Sequence, residues 1–119
     1  MNVAVIGASD KTDRFSYQAL MLLKQQRHQV FPVHQRLQVI EGMTVFPSIK
    51  DIKEPIDTVS MYVAADISSK IAADILSVKP KRIIFNPGAE NSDLSQMAES
   101  QGITTVNDCT LVMLRSGHF

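Results

Sequence analysis

The residues best equipped for chemistry lie near the start of the chain, in the run Gly7-Ala8-Ser9-Asp10-Lys11-Thr12-Asp13-Arg14-Phe15-Ser16-Tyr17. Gly7 and Ala8 let a backbone approach a ligand closely. Ser9, Lys11, Arg14 and Ser16 add hydroxyl donors and positive charge, and a helix starting inside the run would point its first unpaired N–H groups at the same place. Together these groups suit a phosphate or pyrophosphate. Small residues at a strand end also make tight turns with no ligand at all, so the run by itself leaves both readings open. Asp10 and Asp13 read as turn and N-cap residues, not as catalytic acids.

The run departs from G-x-G-x-x-G, because Ser9 and Thr12 stand where the second and third glycines belong. An NAD site also places Asp or Glu at the end of the second strand to hold the ribose hydroxyls. Here that position carries His34, followed by Gln35 and Arg36. Such a set suits a ribose bearing an extra phosphate, as in NADP or the 3′-phosphorylated ADP portion of coenzyme A. Residues of these types are equally at home on a solvated loop.

Other constellations are weak. No Ser-His-Asp order or carboxylate pair is convincing, no zinc-ligand spacing exists, and the single cysteine, Cys109, cannot form an internal disulfide. Glu90 is a possible base, but it reads first as a cap of the helix that follows. His28 and His118 fall near element ends. Tyr62 and Lys70 lack the spacing of a reductase pair.

These residues need a scaffold, and the hydrophobic pattern supplies one. Asn2–Ile6, Val30–Val33, Thr58–Val63, Arg82–Phe85 and Ile103–Val106 read as strands. Pro32, which can donate no ladder hydrogen bond, counts against the second as a strand. Phe15–Arg27 reads as a helix burying Phe15, Ala19, Leu22 and Leu23. Asp66 is expected to cap a helix with Ile67, Ile71 and Ile75 on one face, ended by Lys79 and Pro80. Ser92–Ser100 is expected to turn Leu94, Met97 and Ala98 inward. Between residues 35 and 55 the pattern is irregular, with an extended piece at Thr44–Phe46 and a short helix at Ser48–Ile52.

Strand and helix alternate, and the strands are apolar on both faces. The expected fold is therefore a single Rossmann-like three-layer α/β domain, residues 1–119, with a mostly parallel five-stranded sheet. Ligands of such sheets bind beyond the carboxyl ends of the strands.

The 119 residues are 45% hydrophobic and 20% charged, with 12 basic and 12 acidic side chains that cancel. That balance gives no electrostatic reason to expect nucleic acid or an anionic membrane as partner. The apolar runs are short, and no signal-peptide pattern precedes the first strand, so a cytoplasmic protein is expected.

Val3-Ala4-Val5-Ile6-Gly7-Ala8-Ser9, then Arg14-Phe15-Ser16-Tyr17, then Val30-Phe31-Pro32-Val33 follow one another in an order that resembles the CoA-binding domain family of small bacterial proteins. That family is similar to the N-terminal domain of the succinyl-CoA synthetase α subunit. The likeness continues through Val45-Phe46-Pro47-Ser48, Pro55-Ile56-Asp57, Asn86-Pro87-Gly88-Ala89-Glu90 and Asp108-Cys109. It departs at His34, where the family usually has Asn.

The resemblance implies a coenzyme A site in which the loop from Ala8 to Tyr17 holds phosphates and Val33 and His34 flank the adenosine. Tyr62, Val63 and the stretch Phe85, Asn86, Pro87, Gly88 would complete the walls. Cys109 reads either as a small buried hydrophobe or as a thiolate near the thiol of bound coenzyme A. The expected function is non-enzymatic binding of coenzyme A or an acyl-CoA. The alternative is an NADP- or other nucleotide-dependent oxidoreductase or sensor, and a homodimer or a protein partner stays open.

Overall fold

β-Branched and aliphatic runs with no polar face must be covered on both sides, and the computed structural model, which describes Met1–Phe119, shows how this is done. Strand β1 (Asn2–Ile6) has Val3, Ala4 and Val5 fully buried. It is flanked by β2 (Gln29–Val33) and by a later strand over Thr58–Met61. Numbered along the chain, the short strands β3 (Val39–Ile40) and β4 (Met43–Thr44) intervene, so Thr58–Met61 is β5. With β6 (Arg82–Phe85) and β7 (Thr104–Asn107) it completes a five-stranded sheet in the order β2-β1-β5-β6-β7, parallel at every pairing. This is the expected Rossmann-like architecture.

Helices α1 (Phe15–Gln25) and α5 (Thr110–Ser116) cover one face of the sheet, and α3 (Ala72–Ser77) and α4 (Ser92–Ser100) cover the other, with α2 (Ala65–Lys70) running into α3. Phe31, Val59, Met61, Ile75, Ile83 and Leu94 centre the larger core, and Val3, Val5, Leu20, Leu23 and Leu114 the smaller one. No helix is long and apolar enough to cross a membrane.

Pro32 sits on β2, an edge strand, where its missing N–H costs no ladder bond on the open side. Its carbonyl accepts from Phe46 N–H at 2.9 Å, and Val33 pairs with Phe46 in a single parallel bridge. The extended piece expected at Thr44–Phe46 is thus two things, the hairpin strand β4 and this bridge. The helix expected at Ser48–Ile52 is one 3-10 turn, Ile49–Asp51, with Ser48 Oγ accepting from Lys50 N–H.

Several expected details differ. Helix α1 stops at Gln25, where Arg27 turns to φ 68 and His28 N–H reaches back to Leu23. Its inward stripe is Ser16, Ala19, Leu20 and Leu23, which leaves Phe15 69% exposed. The helix after β5 starts one residue before Asp66, with Ala64 at the cap position, and breaks at Ile71 (φ −111) into α2 and α3. The break takes Ile67 off the stripe, so Ile75 is buried while Ile67 is 45% exposed. On α4 only Leu94 and Ala98 are buried, and Met97 faces out. Asn91, not Glu90, caps α4, its Oδ1 accepting from Leu94 N–H at 3.0 Å.

Candidate functional site

From β1 the chain moves through α1 to β2 on one side, then crosses to β5 on the other. The adjacent carboxyl ends of β1 and β5 are therefore the topological switch point of the sheet. A cleft of about 1180 Å³ opens there. Its floor is Ile6, Gly7, Ala8 and Val33, and the start of α1 forms one wall. Tyr62, Val63 and the exposed side of α2 form the other, and His34–Leu37 with Pro47–Ile49 close the end over β2.

Gly7 makes the floor possible. It adopts φ +85, and a Cβ there would lie 2.8 Å from Val63 Cγ1 and 3.2 Å from the carbonyl carbon and oxygen of Tyr62. Only glycine lets the two strand ends come this close. The amides of Gly7 and Ala8 are not offered to a ligand, because both donate to the Val33 carbonyl, at 3.1 and 3.2 Å.

The free donors lie one turn further on. Arg14 occupies the cap position of α1 with no side-chain cap bond, and the first turn holds no acid. The first helical amide with an acceptor belongs to Gln18, which donates to Arg14 O at 3.1 Å, so the N–H groups of Phe15, Ser16 and Tyr17 are unpaired. A helix start with neither cap nor acid keeps its full partial positive charge for an anion. Ser9 Oγ accepts from Lys11 N–H at 3.1 Å, and Lys11 O accepts from Arg14 N–H at 3.0 Å, which folds both cationic residues over the same turn.

Charge follows the same plan. Lys11, Arg14, Arg36 and Lys70 line the cleft, and none of them has an ion-pair partner. The chain's single salt bridge, Lys50 to Asp74 at 3.9 Å, occupies one of the two acids in the cleft and leaves Asp10 as the other. His34 Nδ1 accepts from the backbone N–H groups of Arg36 and Leu37, at 3.0 and 3.1 Å. The neutral ring therefore carries its proton on Nε2, which leaves that nitrogen as its donor.

Gly7, Ala8, Ser9, Lys11, Arg14, Ser16, Val33, His34, Arg36, Tyr62 and Val63 are brought together as the sequence suggests. Tyr17, Asn86, Pro87, Gly88 and Cys109 do not line the cleft. Tyr17 points to the β3–β4 hairpin, where its hydroxyl donates to Glu41 Oε1 at 3.0 Å, and that bond to a carboxylate holds the phenol above its ordinary pKa.

Asn86 is buried and committed. Its Nδ2 donates to Ser60 Oγ at 3.0 Å and Met61 O at 2.8 Å, and its Oδ1 accepts from Thr110 N–H at 2.8 Å. It fastens β6 to α5. Pro87 and Gly88 form an exposed turn in which Gly88 N–H donates to Glu90, and half-buried Cys109 occupies the cap position of the short α5.

Lys70, Ile67 and Ile71 belong to the cleft, although their spacing alone reads as a solvated lysine beside a core stripe. The signal for them is positional, since a helix that begins just past the carboxyl end of a central strand must flank the switch point. Tyr62 is distinctive. It lines the cleft, and its hydroxyl is buried near Thr110 and Ser60 without a well-formed hydrogen bond; burial, only partly offset by those two hydroxyls, pushes its pKa up to about 12.

Compared with known proteins, residues 1–115 match the family described as CoA binding domain. The chain belongs to that family. A crystal structure of an uncharacterized protein, 37% identical, superimposes on this CoA binding domain with a TM-score of 0.93, covering 99% of this chain and 97% of the other. The Bacillus subtilis (strain 168) protein YneT, itself uncharacterized, is 26% identical over 106 residues, 89% of this chain and 78% of its own.

The dinucleotide-forming acetyl-coenzyme A synthetase 1 of Ca. Korarchaeum cryptofilum, solved with phosphate and ADP, aligns at 20% identity with a TM-score of 0.78. The alignment takes in 90% of this chain but 25% of that one, so the fold recurs as a portion of a larger protein. The cleft suits the ligand in the family's description: unpaired helix-start amides with Lys11 and Arg14 match a diphosphate, and His34 and Arg36 match a phosphorylated ribose.

Proposed function

We propose that this domain binds coenzyme A or an acyl-CoA as a non-enzymatic module of the cytoplasm. The observation that carries the reading is the uncapped start of α1, with three unpaired amides beside Lys11 and Arg14 over a floor that only Gly7 permits. A diphosphate there would gain charge-assisted hydrogen bonds from groups already oriented, so little ordering opposes binding. His34 and Arg36, at the β2 end, favour a ligand whose ribose is phosphorylated.

What supports a binding role over catalysis is how few of the candidate bases are free in the cleft. His34 Nδ1 is occupied by two backbone amides, Asp74 lies 3.9 Å from Lys50, and Asp10 is the one acid there without a partner, in the turn that carries Lys11. Glu90, the base weighed from sequence, lies away from the cleft and accepts from Gly88 N–H.

The test is ligand-dependent melting together with native mass spectrometry of protein purified from cells. Coenzyme A at 100 times its dissociation constant should stabilise the fold by about 2.7 kcal/mol, and NAD, lacking the extra phosphate, should not. A shift with NAD equal to that with coenzyme A, or none with millimolar coenzyme A, refutes the reading. A larger shift with NADP than with coenzyme A transfers the site to the oxidoreductase or sensor class.

A further inference from the structure

Helix α2 forms much of one cleft wall, yet little apolar packing holds it. Of its six residues only Ser68 is buried, Ala64 at its cap position makes no side-chain bond, and the helix breaks at Ile71. Ile67 and Lys70, which face the cleft, are exposed.

A polar fastening takes the place of packing. Asn91, only 6% exposed, reaches over from the start of α4. Its Nδ2 lies 2.8 Å from Ser68 Oγ, 3.0 Å from Ser69 Oγ and 3.4 Å from Ala65 O. An amide nitrogen has two hydrogens, so the two hydroxyls take the strong bonds and the carbonyl shares one of them. The same side chain caps α4 through Oδ1. One residue thus joins a well-packed helix to the loosely packed wall.

We propose that Asn91 is a positioning residue for the ligand cleft: through Ser68 and Ser69 it holds α2 in the place where Ile67, Lys70 and Ile71 complete the wall. Asn91 itself is not in the cleft lining, so its effect on ligand passes through α2. The ligand part of this proposal rests on the coenzyme A reading above, whereas the fastening of α2 does not.

Two alanines on α2 separate the two jobs of the side chain. Asn91→Asp would not, because the serine hydroxyls can rotate and donate to a carboxylate. Ser68→Ala with Ser69→Ala removes both hydroxyl partners and leaves the cap of α4 by Asn91 untouched.

In ligand-free protein, Ser68→Ala/Ser69→Ala should raise amide hydrogen exchange across residues 65–71 while α4 keeps its protection, although alanine by itself favours helix. If the wall then occupies its competent position about a tenth of the time, the apparent Kd for coenzyme A rises about tenfold. Adding Asn91→Ala to that variant should raise exchange at 65–71 no further, because the link is already gone. Exchange at 65–71 unchanged in Ser68→Ala/Ser69→Ala overturns the fastening. Faster exchange there with wild-type affinity for coenzyme A overturns the link to the ligand. If the wild type binds no coenzyme A, the functional reading fails while the exchange experiment still decides the fastening.

Discussion

Gly7 gives the sharpest quantitative test of the cleft, because the structure contains its own control. Gly7 and Gly88 both sit in the left-handed region, at φ +85 and φ +89. An L-residue in that region costs roughly 1–2 kcal/mol, so an alanine at either position carries this penalty. At Gly88 nothing lies within 4 Å of the added methyl. At Gly7 the methyl meets Val63 Cγ1 at 2.8 Å and the Tyr62 carbonyl carbon and oxygen at 3.2 Å.

The valine is stiff about χ1 and the carbonyl belongs to the backbone, so neither yields cheaply, and overpacking of this kind costs about 1–3 kcal/mol. Gly7→Ala should therefore cost about 2–5 kcal/mol and Gly88→Ala only about 1–2. Urea unfolding of the two variants beside the wild type measures the difference directly, provided the m values agree. Adding Val63→Ala to Gly7→Ala should recover part of the loss by removing the 2.8 Å contact. Equal destabilisation at Gly7 and Gly88 would refute the claim that the close approach of β1 and β5, and not the positive φ alone, demands glycine.

Arg14→Ala, in an exposed loop, should leave the melting temperature near the wild type and weaken coenzyme A roughly ten- to a hundredfold by calorimetry; unchanged affinity would make Arg14 a solvated residue only. Tyr62→Phe removes a buried hydroxyl that lies near Thr110 and Ser60 without a well-formed bond, and should leave stability unchanged or raise it by up to about 1 kcal/mol; a clear loss of stability would show the hydroxyl to be bonded in solution. Tyr62 also fixes an alkaline limb. Burial raises the phenol from 10.0 to about 12, so above pH 10 the unfolded chain loses a proton that the fold retains, and stability should fall from pH 10 to 12 less steeply in Tyr62→Phe. At the acid end, burial, then the amino terminus and then Arg82 hold His28 below 6.5. Its contribution, present at neutral pH, should decline below pH 6.5 as the unfolded chain takes up the proton, and His28→Gln should flatten that part of the curve.

The sheet was readable because each central strand is a short apolar run with helices on both sides, a pattern that Val3-Ala4-Val5 and Ile83-Ile84-Phe85 carry without help from distant residues. The β3–β4 hairpin was not readable. Its strands are two residues each, and what fixes it is the packing of Ile40 and Val45 against the α1 side of the core. The break at Ile71 was hidden for a related reason. Ile67, Ile71 and Ile75 have the spacing of one continuous helix, but Asn91 fastens the first half from another element, and periodicity cannot report a tether that arrives some 20 residues later in the chain.

The site divides along the same line. Residues of the loop after β1 converge because they are neighbours in sequence, and their chemistry could be read locally. Asn86 has the right chemistry for a ligand, but the fold turns its amide inward to bond Ser60, Met61 and Thr110. Tyr17 is lost to the cleft by one helical step, since burying Ser16 directs its neighbour to Glu41.

Net charge misleads in the opposite direction. Summed over the chain it is zero, which argues against a polyanion lying across the surface. Charges in water are screened within about 8 Å at physiological salt, however, so a bound ligand responds to the cleft and not to the sum. There Lys11, Arg14, Arg36 and Lys70 face Asp10 alone, because Lys50 already holds Asp74, and the unpaired start of α1 adds to the positive side. A long nucleic acid would meet the balancing acids spread over the rest of the surface. A compact ligand carrying its phosphates at the two places where these cations gather meets only the excess, and so a chain of zero net charge can select a small polyphosphate.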